Sequence, residues 1–201
     1  QVWLDEVEFR SEILSDAIIS ARVAAITNKC LGPVGESLTP DVVLRFAAAQ
    51  IAVGADTIGI GDAIASQVSP AIYESLIQPR EKRIVDAIHD KGAKVRLHIC
   101  GNITRLLPGI AKLGVDILDV DHMVDLAAAR RAVGRATALC GNLDPVSEVK
   151  EGNPESIRLK VAACYERVGN PFMAGAGCEV PPGTPNANLK ALCAPLPWKK
   201  D

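Results

Sequence analysis

The sequence predicts an α/β fold of the TIM (β/α)8 barrel type, represented here by the C-terminal five β/α units of an incomplete barrel. Three observations lead there. From Leu38 onward, helical and strand periodicities alternate, which argues for parallel β/α packing rather than a sandwich. Polar and small residues gather just past the ends of successive strands, at Asp62, Cys100 to Asn102, Asp121 and His122, Asn142 to Asp144, and Cys178. That is the rim on which barrel enzymes build their sites. No Gly-x-Gly-x-x-Gly turn follows the earliest strand, so a doubly wound dinucleotide fold has no anchor. Five units fall short of eight, and a full barrel takes ~250 residues. The 201-residue chain is therefore expected to be the C-terminal part of one.

The elements follow from local signals. Residues 1–36 read as an amphipathic helix, roughly Trp3 to Ile26, and a Gly/Pro loop, with the barrel part over 37–201. Thr39-Pro40-Asp41 supplies an N-cap, a Pro at the first helical position and an acidic first turn, opening a helix that Gly54 stops. Strand TIGIG follows at Thr57 to Gly61. Ser69-Pro70 opens the next helix, which keeps a helical period through Ile84, Val85 and Ile88 until Gly92, with a kink expected at Pro79. Strand KVRLHIC comes next. The unit then recurs as helix Thr104 to Leu113 with strand Asp116 to Val120, helix Asp125 to Val133 with strand Thr137 to Gly141, and helix Pro154 to Val168 with strand Phe172 to Gly177.

Composition narrows the function. The chain is 48% hydrophobic and 23% charged, with a net charge of −2 and 3% aromatic residues. It offers neither the basic footprint nor the stacking aromatics of a nucleic-acid binder. No apolar run approaches the ~20 residues of a membrane span, and QVWLDEVEFR has no basic segment leading an apolar one, so a cytoplasmic protein without membrane contact is expected. Six cysteines are spread from Cys30 to Cys193 through patterned segments, which suits reduced thiols better than a disulfide framework.

In KVRLHIC, Val95, Leu97 and Ile99 share one face and Lys94, Arg96, His98 and Cys100 the other. The apolar face should lie under the helices and the polar one should line the lumen. Strand DILDV repeats the pattern with Asp119 and Asp121, either of which is a lumen partner for Arg96. His98 and Cys100, two apart on one face, lie within ~7 Å along the strand and can converge on one ion. The plainer alternative packs both as core residues, and a third ligand from another strand end decides between them; Cys178, inside AGAGCEVPPGTP, has that placement. Cys140 reads as a buried apolar residue, Cys30, Cys164 and Cys193 as structural, His89 as a helix-end cation, and His122 as a supporting group at the rim.

Longer stretches carry a family resemblance: VGADTIGIGDAIAS (Val53 to Ser66), SPAIYESLIQP (Ser69 to Pro79), LHICGN, DILDVDHMVDL (Asp116 to Leu126), CGNLDPV (Cys140 to Val146) and GCEVPPGTPNANLKAL (Gly177 to Leu192). Over Val42 to Leu192 the chain resembles the uroporphyrinogen decarboxylase superfamily, and within it the corrinoid-dependent methylcobamide:coenzyme M methyltransferases. GNLDP marks the superfamily; His-x-Cys with a late Cys marks the branch. The resemblance implies zinc held by His98, Cys100 and Cys178, a corrinoid on a carrier protein as methyl donor, and a small thiol such as coenzyme M as acceptor. One neutral His and two thiolates cancel the charge of the ion and leave a fourth tetrahedral position open, as a catalytic site requires. Asp62, Asp121 and His122 are then the candidate catalytic groups, with Asp119 a further partner for the ligating His. Asn102, Asn142 and Asp144 are candidates for binding substrate, although Asn-Leu-Asp-Pro is also good turn chemistry. Two alternatives stand beside this: metal-free decarboxylation of a porphyrinogen-like acid, and a truncated, non-catalytic metal-binding barrel. Exposed edge strands would make a homo-oligomer one outcome of sizing the protein.

Overall fold

The computed structural model describes residues 23–27 and 40–196, the first five by backbone alone. Six strands form one parallel sheet in unbroken sequential order. They are β1 (Val23–Thr27), β2 (Thr57–Gly61), β3 (Lys94–Ile99), β4 (Ile117–Val120), β5 (Ala138–Leu143) and β6 (Phe172–Ala176). A doubly wound sheet reverses its strand order at a switch point; sequential order is that of a barrel, so the α/β barrel-type fold expected from the sequence is observed.

One expectation is corrected. Val23–Thr27 is a sixth strand, paired with β2 from Val23↔Thr57 to Thr27↔Gly61, where the sequence reading ends a helix. VAAIT is a short apolar run with β-branched Val, Ile and Thr, which periodicity alone cannot separate from a buried helical turn. The earlier part of that expected helix, and Cys30, lie outside the described residues.

The helices are α1 (Pro40–Ala52), α2 (Gln78–His89), α3 (Leu107–Ala111), α4 (Leu126–Val133), α5 (Pro154–Val168) and α6 (Asn186–Leu192). The starts of α4 and α5 follow their capping residues. Asp125 accepts from the Ala127 N–H, and Asn153 forms a capping box with Ser156. The kink expected at Pro79 takes the form of a π-helical Tyr73–Ile77 placed between Pro70–Ile72 and α2, so that Pro79 falls in the first turn of a new segment, where a missing N–H is harmless. A second π-helical turn, Pro145–Lys150, follows β5 and is capped by Asp144.

Strand parity holds. Val95, Leu97, Ile99, Leu118 and Val120 are buried under the helices with Val85, Ile88, Ile110 and Leu113, each large side chain contributing ~1.5–3 kcal/mol. A smaller cluster around Leu143, Ile157, Val161 and Leu192 seats α5 and α6 near the end of β5. The other strand face carries Arg96, His98, Asp119 and Cys140 into the lumen. Among the described residues, no helix is long and apolar enough to cross a membrane.

Candidate metal centre

His98 is the next-to-last residue of β3, Cys100 follows the strand, and Cys178 lies two residues past β6. Their donor atoms all lie within 4.8 Å of one another, with Cys100 Sγ 3.3 Å from His98 Nε2 and 3.9 Å from Cys178 Sγ. A tetrahedral zinc with bonds of about 2.0–2.3 Å separates its ligand atoms by about 3.5–3.8 Å. The donor set and its spacing therefore fit that ion. His98 Nδ1 faces the Asp119 main-chain carbonyl at 3.2 Å. With Nδ1–H donating there, Nε2 turns its lone pair toward the two sulfurs. Burial, then the neighbouring Cys178 thiol, push the Cys100 thiol up to about 11.

The surrounding residues hold this corner in place. Gly101 N–H donates to Asp121 Oδ2 at 2.7 Å, and Asp121 Oδ1 accepts from the Met123 N–H at 3.0 Å. His122 stands between two carboxylates, with Nδ1 3.1 Å from Asp121 and Nε2 3.7 Å from Asp144. Gly177 packs against the His122 backbone so closely that a Cβ there would sit 2.2 Å from its nitrogen, which places Cys178 beside the same corner. Below the trio, Arg96 pairs with the Asp119 carboxylate, one of the two partners expected from the sequence, and reaches Cys140 Sγ at 3.9 Å. Cys140 is buried, as expected, and burial leads the effects that push its thiol up to about 12.

Of the carboxylates weighed as partners for His98, Asp119 takes the place, through its main chain, with its carboxylate 3.7 Å away. Asp62 uses its carboxylate to accept from the Ile64 and Ala65 N–H groups, and Asp121 is committed to Gly101 and His122. Asn102 accepts from the Thr104 N–H. Asn142 donates to the carbonyls of Asp121 and Val124, bracing the turn that carries His122. Beyond His122 a cleft of about 630 Å³ opens between the ends of β4 and β5 and helix α5, bordered by Asp144, Lys160, Cys164 and Arg167. His122, Asn142 and Asp144, which line it, are among the residues expected from the sequence, whereas its α5 wall is not. Its signal was the i, i+4, i+7 spacing of Lys160, Cys164 and Arg167, which places all three on one helix face. Cys193 is exposed.

Comparison with known proteins follows this geometry. The family model described as uroporphyrinogen decarboxylase (URO-D) matches residues 37–195. Methylcobamide:CoM methyltransferase MtbA of Methanosarcina mazei is 34% identical over 168 residues, covering 79% of this chain and 48% of that protein. A uroporphyrinogen decarboxylase of Synechococcus is 35% identical over 152 residues, covering 74% and 43%. A solved methyltransferase from Methanosarcina mazei superposes with a TM-score of 0.69 at 25% identity, over 76% of this chain and 45% of that one. The chain thus spans about half the length of the curated relatives it matches. With four-fifths of its length under one family model, the chain belongs to the uroporphyrinogen decarboxylase family.

Proposed function

We propose that this chain carries the metal-binding part of a zinc-dependent methyltransferase, which moves a methyl group from a methylated corrinoid on a carrier protein to a small thiol such as coenzyme M. The observation that carries the reading is the convergence of His98, Cys100 and Cys178 at the strand-end rim. Decarboxylation without a metal has no use for such a trio. The likeness to methylcobamide:CoM methyltransferases supports the same choice, although uroporphyrinogen decarboxylases match at equal identity.

Zinc bound there would act as a Lewis acid that lowers the pKa of an entering thiol from its free value of ~8.5. The chain's own residues do the rest. The Asp119 carbonyl keeps His98 in the tautomer whose Nε2 carries the free lone pair, and the lumen wall holds both thiols at ligand spacing. His122 shares the rim with the trio, next in the chain to Asp121, whose carboxylate accepts from the Gly101 N–H beside Cys100. Flanked by Asp121 and Asp144, it is the group assigned to accept the proton released by the acceptor thiol. A methylated corrinoid presented at this rim would supply the methyl group to the acceptor sulfur and would keep the electron pair of its cobalt–carbon bond as the leaving group. Asn102, Asn142 and Asp144 shape the rim over which the corrinoid is presented, and Asp62 fixes the turn on its far side.

Metal analysis of the purified chain tests this reading. The expected result is one zinc per chain, lost together with methyl transfer in His98→Ala and in Cys178→Ala. Variants that keep both would overturn it, and activity without zinc that is indifferent to Cys100 would point to the decarboxylase reading.

A further inference from the structure

Gly61 closes β2, and its register partner on β3 is His98. Ile58 and Ile60 point outward and are buried, so Gly61 shares the lumen face with the imidazole, one strand spacing of about 4.8 Å away. The other glycines bordering the trio are closed in. A Cβ would stand 3.2 Å from Ser66 Oγ at Gly101, 2.7 Å from the Val120 carbonyl at Gly141, 3.0 Å from Cys140 Sγ at Gly175 and 2.2 Å from the His122 nitrogen at Gly177. Among the described residues, a Cβ at Gly61 would meet no atom within 4 Å, and Gly61 is not among the glycines with positive φ. Neither close packing nor backbone conformation therefore requires glycine at this position. What its missing side chain leaves is space beside a ligand.

On the reading that the trio holds a metal with its fourth position open, the substituent of an entering thiol has to occupy unfilled volume next to the ligands. Arg96, Asp119 and Cys140 fill the side below, and Asp121 and His122 the side toward β4. We propose that Gly61 is a specificity-determining residue: the space over it receives the substituent of the acceptor thiol and restricts acceptors to small, unbranched thiols.

The test uses the chain loaded with Co(II), whose visible absorption changes when a sulfur ligand enters, and two probes, hydrosulfide and 2-mercaptoethanol. Hydrosulfide carries no substituent. In Gly61→Leu, hydrosulfide should bind as in the parent chain, whereas 2-mercaptoethanol should weaken at least about tenfold. Gly61→Ala should show the same selective loss at about threefold, which keeps the test decisive if the Leu variant folds poorly. Equal weakening of both probes, or of neither, overturns the role of Gly61 and leaves the metal site standing. A parent chain that takes up no Co(II) overturns both.

Discussion

Glu81 gives the molecule a pH dependence whose sign can be worked out. It lies in the first turn of α2, 5% exposed, with Oε2 accepting from the Tyr73 hydroxyl at 2.5 Å and Oε1 buried without a hydrogen-bond partner. Burial pushes its carboxyl up to about 7 from an ordinary 4.5; the negative charge of Asp62 adds to this, and the Tyr73 hydrogen bond opposes it. Between those two pH values the unfolded chain has released this proton and the folded chain still holds it. Unfolding is therefore favoured as pH rises: the stability present below about pH 4.5 declines up to about pH 7 and is level beyond. At about 1.4 kcal/mol per pH unit, the interval amounts to about 3 kcal/mol. Urea unfolding across pH 4.5 to 7.5, in the parent chain and in Glu81→Gln, isolates this group because every other titration is common to both. The parent should lose about 3 kcal/mol relative to the variant over the interval. Parallel pH profiles would refute the reasoning.

Two further substitutions separate support from chemistry at the metal corner. Gly177→Ala forces a Cβ against the His122 backbone, where no flexible side-chain end can yield, so a loss of about 2–3 kcal/mol in urea unfolding and reduced zinc retention are expected. Asn142→Ala removes two hydrogen bonds to the carbonyls of Asp121 and Val124, and should lower stability by about 1–3 kcal/mol while zinc stoichiometry measured on the folded variant stays at one per chain.

The legible part of this molecule was the part written in periodicity and caps. The alternation in KVRLHIC assigned Leu97 to the core and His98 to the lumen correctly, because a pleated strand leaves a side chain no third choice. Asn153 and Asp125 marked helix starts for an equally local reason. VAAIT misled because five apolar and β-branched residues suit a strand or a buried helical turn, and only pairing with Thr57–Gly61 decides. The sequence named Asp119 among three partners for His98, and Asp119 is the residue that faces it; that the contact uses its main-chain carbonyl was not legible, since every residue carries one, while Asp62 and Asp121 are occupied elsewhere. Gly61 was equally silent, because a glycine that leaves space reads the same as one that permits a turn.

The trio also says something about the sheet that carries it. β3 and β6 are three strand intervals apart, which on a flat sheet would separate their ends by about 14 Å. Cys100 and Cys178, each just beyond one of those ends, instead bring their sulfurs to 3.9 Å. Side chains as short as cysteine cannot cover such a gap, so the four strands from β3 to β6 must roll far enough for the lumen faces of β3 and β6 to look at each other. A doubly wound sheet with the same residues at the same strand ends would keep the thiols apart. The convergence of the trio and the curvature of the sheet consequently depend on one geometric condition, and it is met between elements that are distant in sequence and in sheet order.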